Sequence, residues 1–462
     1  MTLFSIALSV LIGKLAVYRF GRLQSLQPVW ASWMLTGGAG IATGIGLSGC
    51  LYFLLRFLLP ASAASWLYLI LRLAMVAALG YDCWRRSAVD TSVPARSLRF
   101  RFIPWLAIAF FLSLILVTYA MSIVWEANPQ GNWDAWSIWN LRAKFLAAQG
   151  EGMAARAWSP ILSFTHPEYP LLLSSFVAAC WSDVGGTTSS AAPIATGYLM
   201  FLALLGMVTG GVAALRGPFS GLLAGLLLMG IPAFLLEVPA QCADVPLACF
   251  MAGAVLMALL ERPILAGALA GFAAFTKDEG LLFVAVAIVI VAALRRNALL
   301  QFCLGALPVT ALALVFKFVV ARGTNSLLSG ATGAKVLDPE RIQTVVSAML
   351  KEVLHWNAGW YHPLLPVVIV AITLRFDRRQ TRDAMFGFSV AALMLLGYAC
   401  VYVVTPNDLT WQLQTSLTRL FVQVCPLLLI GLFVALKGIE PEPAAMPIAA
   451  EPKKSKKARK GK

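Results

Sequence analysis

The chain has 462 residues, of which 60% are hydrophobic and 12% charged, and it carries a formal net charge of +15. A soluble domain usually has about 25% charged residues, so this composition excludes a water-soluble fold of the same length. The basic excess sits in short loops and one tail, which argues against nucleic acid as a partner. Eight cysteines with no CxxC pair indicate neither a disulfide framework nor a zinc ribbon.

Apolar runs recur along the chain, and they are continuous rather than alternating, which points to membrane helices and not to a barrel. The expected fold is an all-α polytopic bundle of about 13 spans. They are expected near 1–17, 31–58, 64–84, 102–124, 190–214, 219–239, 245–260, 264–276, 280–294, 298–320, 362–376, 383–404 and 418–437. Lys14 follows the first apolar stretch rather than preceding it, so no cleaved signal peptide is expected there.

Four regions follow from this reading. Residues 1–124 form N-terminal spans, and 125–189 an outward loop. Residues 190–438 form the helical core, with an outward loop at 321–361, and 439–462 a basic cytoplasmic tail. Lys and Arg in the short loops set the orientation. With Arg19, Arg22, Arg85, Arg86, Arg216, Arg295, Arg296, Arg378 and Arg379 inside, the loops 125–189, 321–361 and 405–417 face out. The apolar piece 169–181 is too short to cross and is expected to be interfacial or re-entrant. Arg72, mid-span, is expected to be buried against a partner in the bundle.

Five segments on the outward side carry chemistry. In GNWDAWSIWNLRAKF, starting at Gly131, Asn132 can cap a helix that begins at Trp133, and Asp134 falls in its first turn among tryptophans. An amphipathic helix with an aromatic belt explains the same pattern. In THPEYPLLLSSF, the polar residues His166, Glu168 and Tyr169 precede the short apolar piece; a capping turn and a ligand site both fit. Asp244 lies in QCADVPLA, and Lys277, Asp278 and Glu279 lie in TKDEG, both at helix ends. Three charges there are costly unless they face water or a cavity, and Lys277 suits either a self-neutralising cluster or a phosphate. Arg419, in TSLTRLFVQVCP, has the planar fork that binds phosphate; snorkelling to the headgroups is the plainer role. The three histidines, His166, His355 and His362, all fall outside but lack metal-ligand spacing, so the metal requirement stays open.

In this order, W-D, H-P-x-Y-P-L, A-D-x-P-L-A, T-K-x-E-G and T-S-x-x-R-L resemble the GT-C superfamily of polytopic glycosyltransferases, on the branch related to protein O-mannosyltransferases and aminoarabinose transferases. The resemblance spans Trp133 to Pro426. It implies transfer of a sugar from a polyprenyl-phosphate donor to a hydroxyl on a lipid, glycan or protein acceptor. The site is then expected on the periplasmic face of a bacterial inner membrane, in contact with membrane lipids. Asp134 is then the expected base. Lys277 and Arg419 are the expected donor-phosphate ligands. Glu168, Asp244, His166, Tyr169 and Glu279 are expected to orient the acceptor or Lys277. Trp133, Trp136 and Trp360 are expected to carry the sugar ring. No organic cofactor is implied, and a divalent metal is compatible. The competing class is a transporter or flippase of a lipid-linked or amphipathic substrate, which would place ionisable residues near mid-membrane and commonly show inverted repeats.

Overall fold

The computed structural model describes residues 2–21, 23–87, 104–182, 189–321, 333–355, 362 and 364–438. Among these residues the regular elements are helical, and one isolated bridge joins Phe376 to Leu436. The N-terminal helices are α1 (Thr2–Gly21), α2 (Val29–Leu58), α3 (Ala61–Ser87) and α4 (Pro104–Ala127). The loop region follows with α5 (Asn140–Ala147) and α6 (Leu172–Ser182). Then come α7 (Ala191–Arg216), α8 (Pro218–Met229), α9 (Pro232–Glu237), α10 (Asp244–Leu259), α11 (Pro263–Ala274), α12 (Asp278–Leu294) and α13 (Leu299–Val315). The chain continues through α14 (Gly333–Val336), α15 (Pro339–His355), α16 (Leu364–Leu374), α17 (Thr381–Val404) and α18 (Leu409–Ala435).

Eight of the described helical segments are long and apolar enough to cross a bilayer, and five shorter ones are apolar over 10–17 residues. The chain is therefore a helical, multi-pass membrane protein. The most hydrophobic windows of α18, α7 and α2 are 83%, 72% and 67% buried, against 11% and 17% for α4 and α3. The first three form the middle of the bundle and the last two its rim.

Close packing in the middle depends on missing side chains. A Cβ on Gly13 of α1 would lie 1.9 Å from the Gly40 carbonyl oxygen of α2, and one on Gly44 would lie 2.1 Å from that of Ser9. Between helices in lipid such small-residue contacts replace the hydrophobic drive. Ser48 donates to Ser9 at 2.9 Å across the same seam. Arg72 is fully buried; it donates to the Ser5 hydroxyl at 2.9 Å, and its guanidinium lies 3.9 Å from the centre of the Tyr68 ring. α10 carries no exposed position: every residue from Asp244 to Leu259 is buried. It packs against α7, α11 and α18.

Two expectations change in detail, and the short apolar piece gains its packing. The segment 219–239 is broken: α8 ends at Met229, Gly230 follows, and Pro232 starts α9. A proline is accepted at a first helical turn but not further inside, so the break is local chemistry. The last span starts earlier than expected, inside the supposed polar loop 405–417, because the Asp408 carboxylate accepts from the Trp411 amide at 2.8 Å and caps α18. The short apolar piece is α6, buried from Leu172 to Trp181 and packed against α2 and α5.

At the ends of α1 and α3, Arg19 and Arg86 both pair with Asp82, at 2.8 and 2.9 Å. Arg216 pairs with Asp377 at 3.0 Å, and Arg295 with Asp383 at 2.8 Å. The basic tail, Arg22 and Trp360 lie outside the described residues.

Candidate functional site

The site begins with a loop whose backbone is fixed by its own polar groups. Asn132 accepts from the Ala135 amide at 3.2 Å, as its type predicts for a helix cap. Gly131 has φ +75°, and a Cβ there would lie 2.5 Å from the Ala240 carbonyl oxygen, so only glycine fits this turn. The Asn132 amide donates to that same carbonyl at 3.2 Å. Asn140 donates to the Gln241 side chain at 3.2 Å, and Gln241 donates to the Pro129 carbonyl at 3.1 Å. The Cys242 thiol donates to Asn132 Oδ1 at 3.1 Å. These bonds dock residues 129–140 onto 240–242, just ahead of α10. Within the loop the helix widens into a π-turn at Ala135–Trp139. Such bulges re-aim neighbouring side chains and are frequent at functional sites.

The docking brings Asp134 to Arg419, 285 residues away in sequence, and Arg419 Nη1 donates to Asp134 Oδ2. The same guanidinium donates from Nε and Nη2 to Asp244 Oδ2, at 2.9 and 2.7 Å. Asp244 Oδ1 accepts from Lys277 Nζ at 2.9 Å and from Gln423 Nε2 at 2.6 Å. Tyr398 donates to Gln423 Oε1 at 2.6 Å and fixes its orientation. Lys277 also reaches Glu279 Oε1 at 3.0 Å. Glu237 Oε2 lies 4.0 Å from Arg419 Nε, is buried and has no hydrogen-bond partner. Asp244 stands in the first turn of α10, where an anion complements the helix dipole. Arg419 stands ten residues into α18, past the capped start, so its side chain comes back toward the loop.

Exposure separates the roles. The Asp244 side chain is 0% exposed and Lys277 9%, while Arg419 is 16% and Asp134 30% exposed. Asp244 and Lys277 form the buried floor; Arg419 and Asp134 face the open side. There Trp133 and Trp136 meet edge to face, with ring centres 4.4 Å apart, and both are exposed.

The second motif packs beside this cluster. The Leu172 amide donates to the Phe275 carbonyl at 3.0 Å, next to Thr276 and Lys277. His166 Nδ1 lies 3.3 Å from Glu168 Oε1, and the His166 ring stacks on Tyr169 at 4.7 Å. Burial, then the nearby Glu279, Asp278 and Glu168 carboxylates, push the Tyr169 hydroxyl well above the usual phenol range, so it stays neutral. Arg142, fully buried, holds the motif by donating to the carbonyls of Ala157 at 2.7 Å, Pro167 at 3.3 Å and Tyr169 at 2.6 Å.

The TKDEG charges divide: Asp278 turns away from Lys277 and pairs with Lys317 at 2.6 Å. His355 bonds to the Lys351 carbonyl, and His362 accepts from the Leu364 amide. Among the described residues, Glu237, Cys242 and Asp244 form the one group with the spacing of metal ligands, and it contains no histidine. Both Asp244 oxygens already hold Lys277, Arg419 or Gln423, so this set does not suit a metal ion as it stands. Glu237 and Gln423 were not singled out from sequence. Gln423 sits one helical turn after Arg419, which places both on one face of α18. Glu237 is an acid ending an apolar stretch, the signal that marked Asp244.

No family model, curated protein or solved structure matches this chain.

Proposed function

We propose that this chain is a membrane glycosyltransferase of the GT-C kind, with about 13 spans. Its proposed donor is a sugar on polyprenyl phosphate, its acceptor a hydroxyl on a lipid, glycan or protein, and its setting the periplasmic face of a bacterial inner membrane. One observation carries this reading: a loop carboxylate, Asp134, and a buried one, Asp244, share the guanidinium of Arg419, with Lys277 behind. A base and a cation at the same spot are what displacement of a sugar phosphate requires.

In this reading Asp134 takes the proton from the acceptor O–H. The acceptor oxygen bonds to the anomeric carbon as the carbon–oxygen bond to phosphate breaks. The electron pair leaves on the phosphate, where Arg419 stabilises it, and Lys277 adds positive potential from behind Asp244. A single displacement inverts the anomeric centre. Trp133 and Trp136 offer exposed ring faces and edges to the sugar. His166, Glu168 and Tyr169 line the acceptor side. The rival flippase reading expects charge near mid-membrane; in this cluster Asp244, Lys277 and Glu279 stand where α10 and α12 begin, and Arg419 ten residues into α18.

The test is transfer from polyprenyl-phosphate sugars by purified protein, with Asp134→Asn alongside. The substitution keeps shape and removes the base, so turnover should fall about 100- to 10,000-fold. Movement of the lipid across a bilayer with the sugar bond intact, and no transfer, would favour the flippase.

A further inference from the structure

Four carboxylates, Asp134, Glu237, Asp244 and Glu279, surround two cations, Lys277 and Arg419. An arriving phosphate therefore meets an acidic surplus. Adding an anion to that set is costly; exchanging one carboxylate for the phosphate is cheaper. Of the two carboxylates bonded to Arg419, one is held by a single side-chain hydrogen bond. Asp244 is fully buried and is held by Lys277 and Gln423 as well as by Arg419. Asp134 is 30% exposed, stands in the first turn of the helical stretch 133–140 and meets the guanidinium with Oδ2 alone.

We infer that Arg419 is a switch: the donor phosphate displaces Asp134 from Nη1 and so releases the base only when the donor is seated. This rests on the proposed polyprenyl-phosphate donor. Arg419 Nη1 occupies Asp134 Oδ2, so that oxygen is not open to an acceptor hydroxyl. Once the phosphate holds Nη1, Asp134 Oδ2 is open to accept a hydrogen bond from the acceptor hydroxyl. The acceptor proton then passes to Asp134, the acceptor oxygen takes the anomeric carbon, and the leaving electron pair stays on the phosphate at Arg419. After polyprenyl phosphate departs, Asp134 gives its proton to water and returns to Nη1. The donor must bind before the acceptor can react, and an acceptor alone meets a base already engaged.

The experiment measures binding of polyprenyl monophosphate to the full-length protein in detergent micelles, in wild type and Asp134→Asn. Removing the competing carboxylate should tighten binding about tenfold or more, the factor for one charge-assisted hydrogen bond. In parallel, carbodiimide modification of Asp134 in the wild type is mapped by mass spectrometry, with exposed Glu126 as reference. Modification of Asp134 should rise severalfold when polyprenyl phosphate is present, and this readout does not depend on the variant folding. Equal or weaker binding by Asp134→Asn, or unchanged modification, overturns the switch and leaves the donor reading standing. No binding to either protein overturns both.

Discussion

Asp244 is the residue on which the cluster depends. A carboxylate with 0% exposure accepts four hydrogen bonds, three of them from cations. Burying such a group is favourable only while its partners remain; removing one side of a buried pair costs about 3–5 kcal/mol. Glu279 makes one pair and is 22% exposed, so solvent screens it and its loss matters less. Asp244→Asn should therefore lower the thermal midpoint in detergent clearly more than Glu279→Gln. Equal, small shifts in the two variants would remove Asp244 from its central place. Several charged members of the cluster were legible in the sequence, since Asp134, Asp244, Lys277, Glu279 and Arg419 stand out at the edges of apolar runs. Their pairing was not legible, because nothing local links Asp134 to a residue 285 positions later. Gln423 was hidden for another reason: a neutral amide inside an apolar helix gains meaning only when Asp244 and Tyr398 are placed around it.

Among the elements, the apolar runs predicted helices well, since a membrane leaves the backbone few alternatives. What the runs could not set was where a helix breaks or how closely two helices meet. The break after Met229 depends on Gly230 and Pro232, and the early start of α18 on Asp408. The π-turn at Ala135–Trp139 leaves no mark in periodicity, yet it belongs to the loop that aims Asp134. The contact of α1 with α2 is set by glycine. In Gly44→Leu a Cβ would start 2.1 Å from the Ser9 carbonyl oxygen, against backbone that cannot yield. Overpacking of this kind costs about 1–3 kcal/mol, so the variant should lose thermal stability and monodispersity on size exclusion. Gly80, on α3, has nothing within 4 Å of its Cβ position. Gly80→Ala should be neutral or gain about 0.5–1 kcal/mol from helix propensity. Equal behaviour of the two variants would contradict the packing account.

For the molecule as a whole, the central helices α2, α7, α10 and α18 form a frame, and the loop 125–189 is fastened to it at several points, two of which hold the part that carries Asp134. One is the seam of residues 129–140 on 240–242; the other is Arg56 of α2, which donates to the carbonyls of Leu146 at 2.7 Å and Ala148 at 3.1 Å, while the Leu172–Phe275 bond ties the loop to the end of α11. The frame supplies Asp244 and Arg419, and the loop supplies Asp134. A multi-pass helical fold and the placement of charge at helix ends were legible from composition and patterning. The convergence of those ends was not, because it requires the tertiary packing of α10 against α18. The measurement that tests the central claim most directly is a density map of the protein purified with its native lipid retained. A polyprenyl-phosphate headgroup should lie against Arg419, on the open side of Asp244 and within reach of Asp134. A map with that lipid headgroup bound elsewhere, and the Arg419–Asp134 pair closed beneath unrelated lipid, would contradict the account.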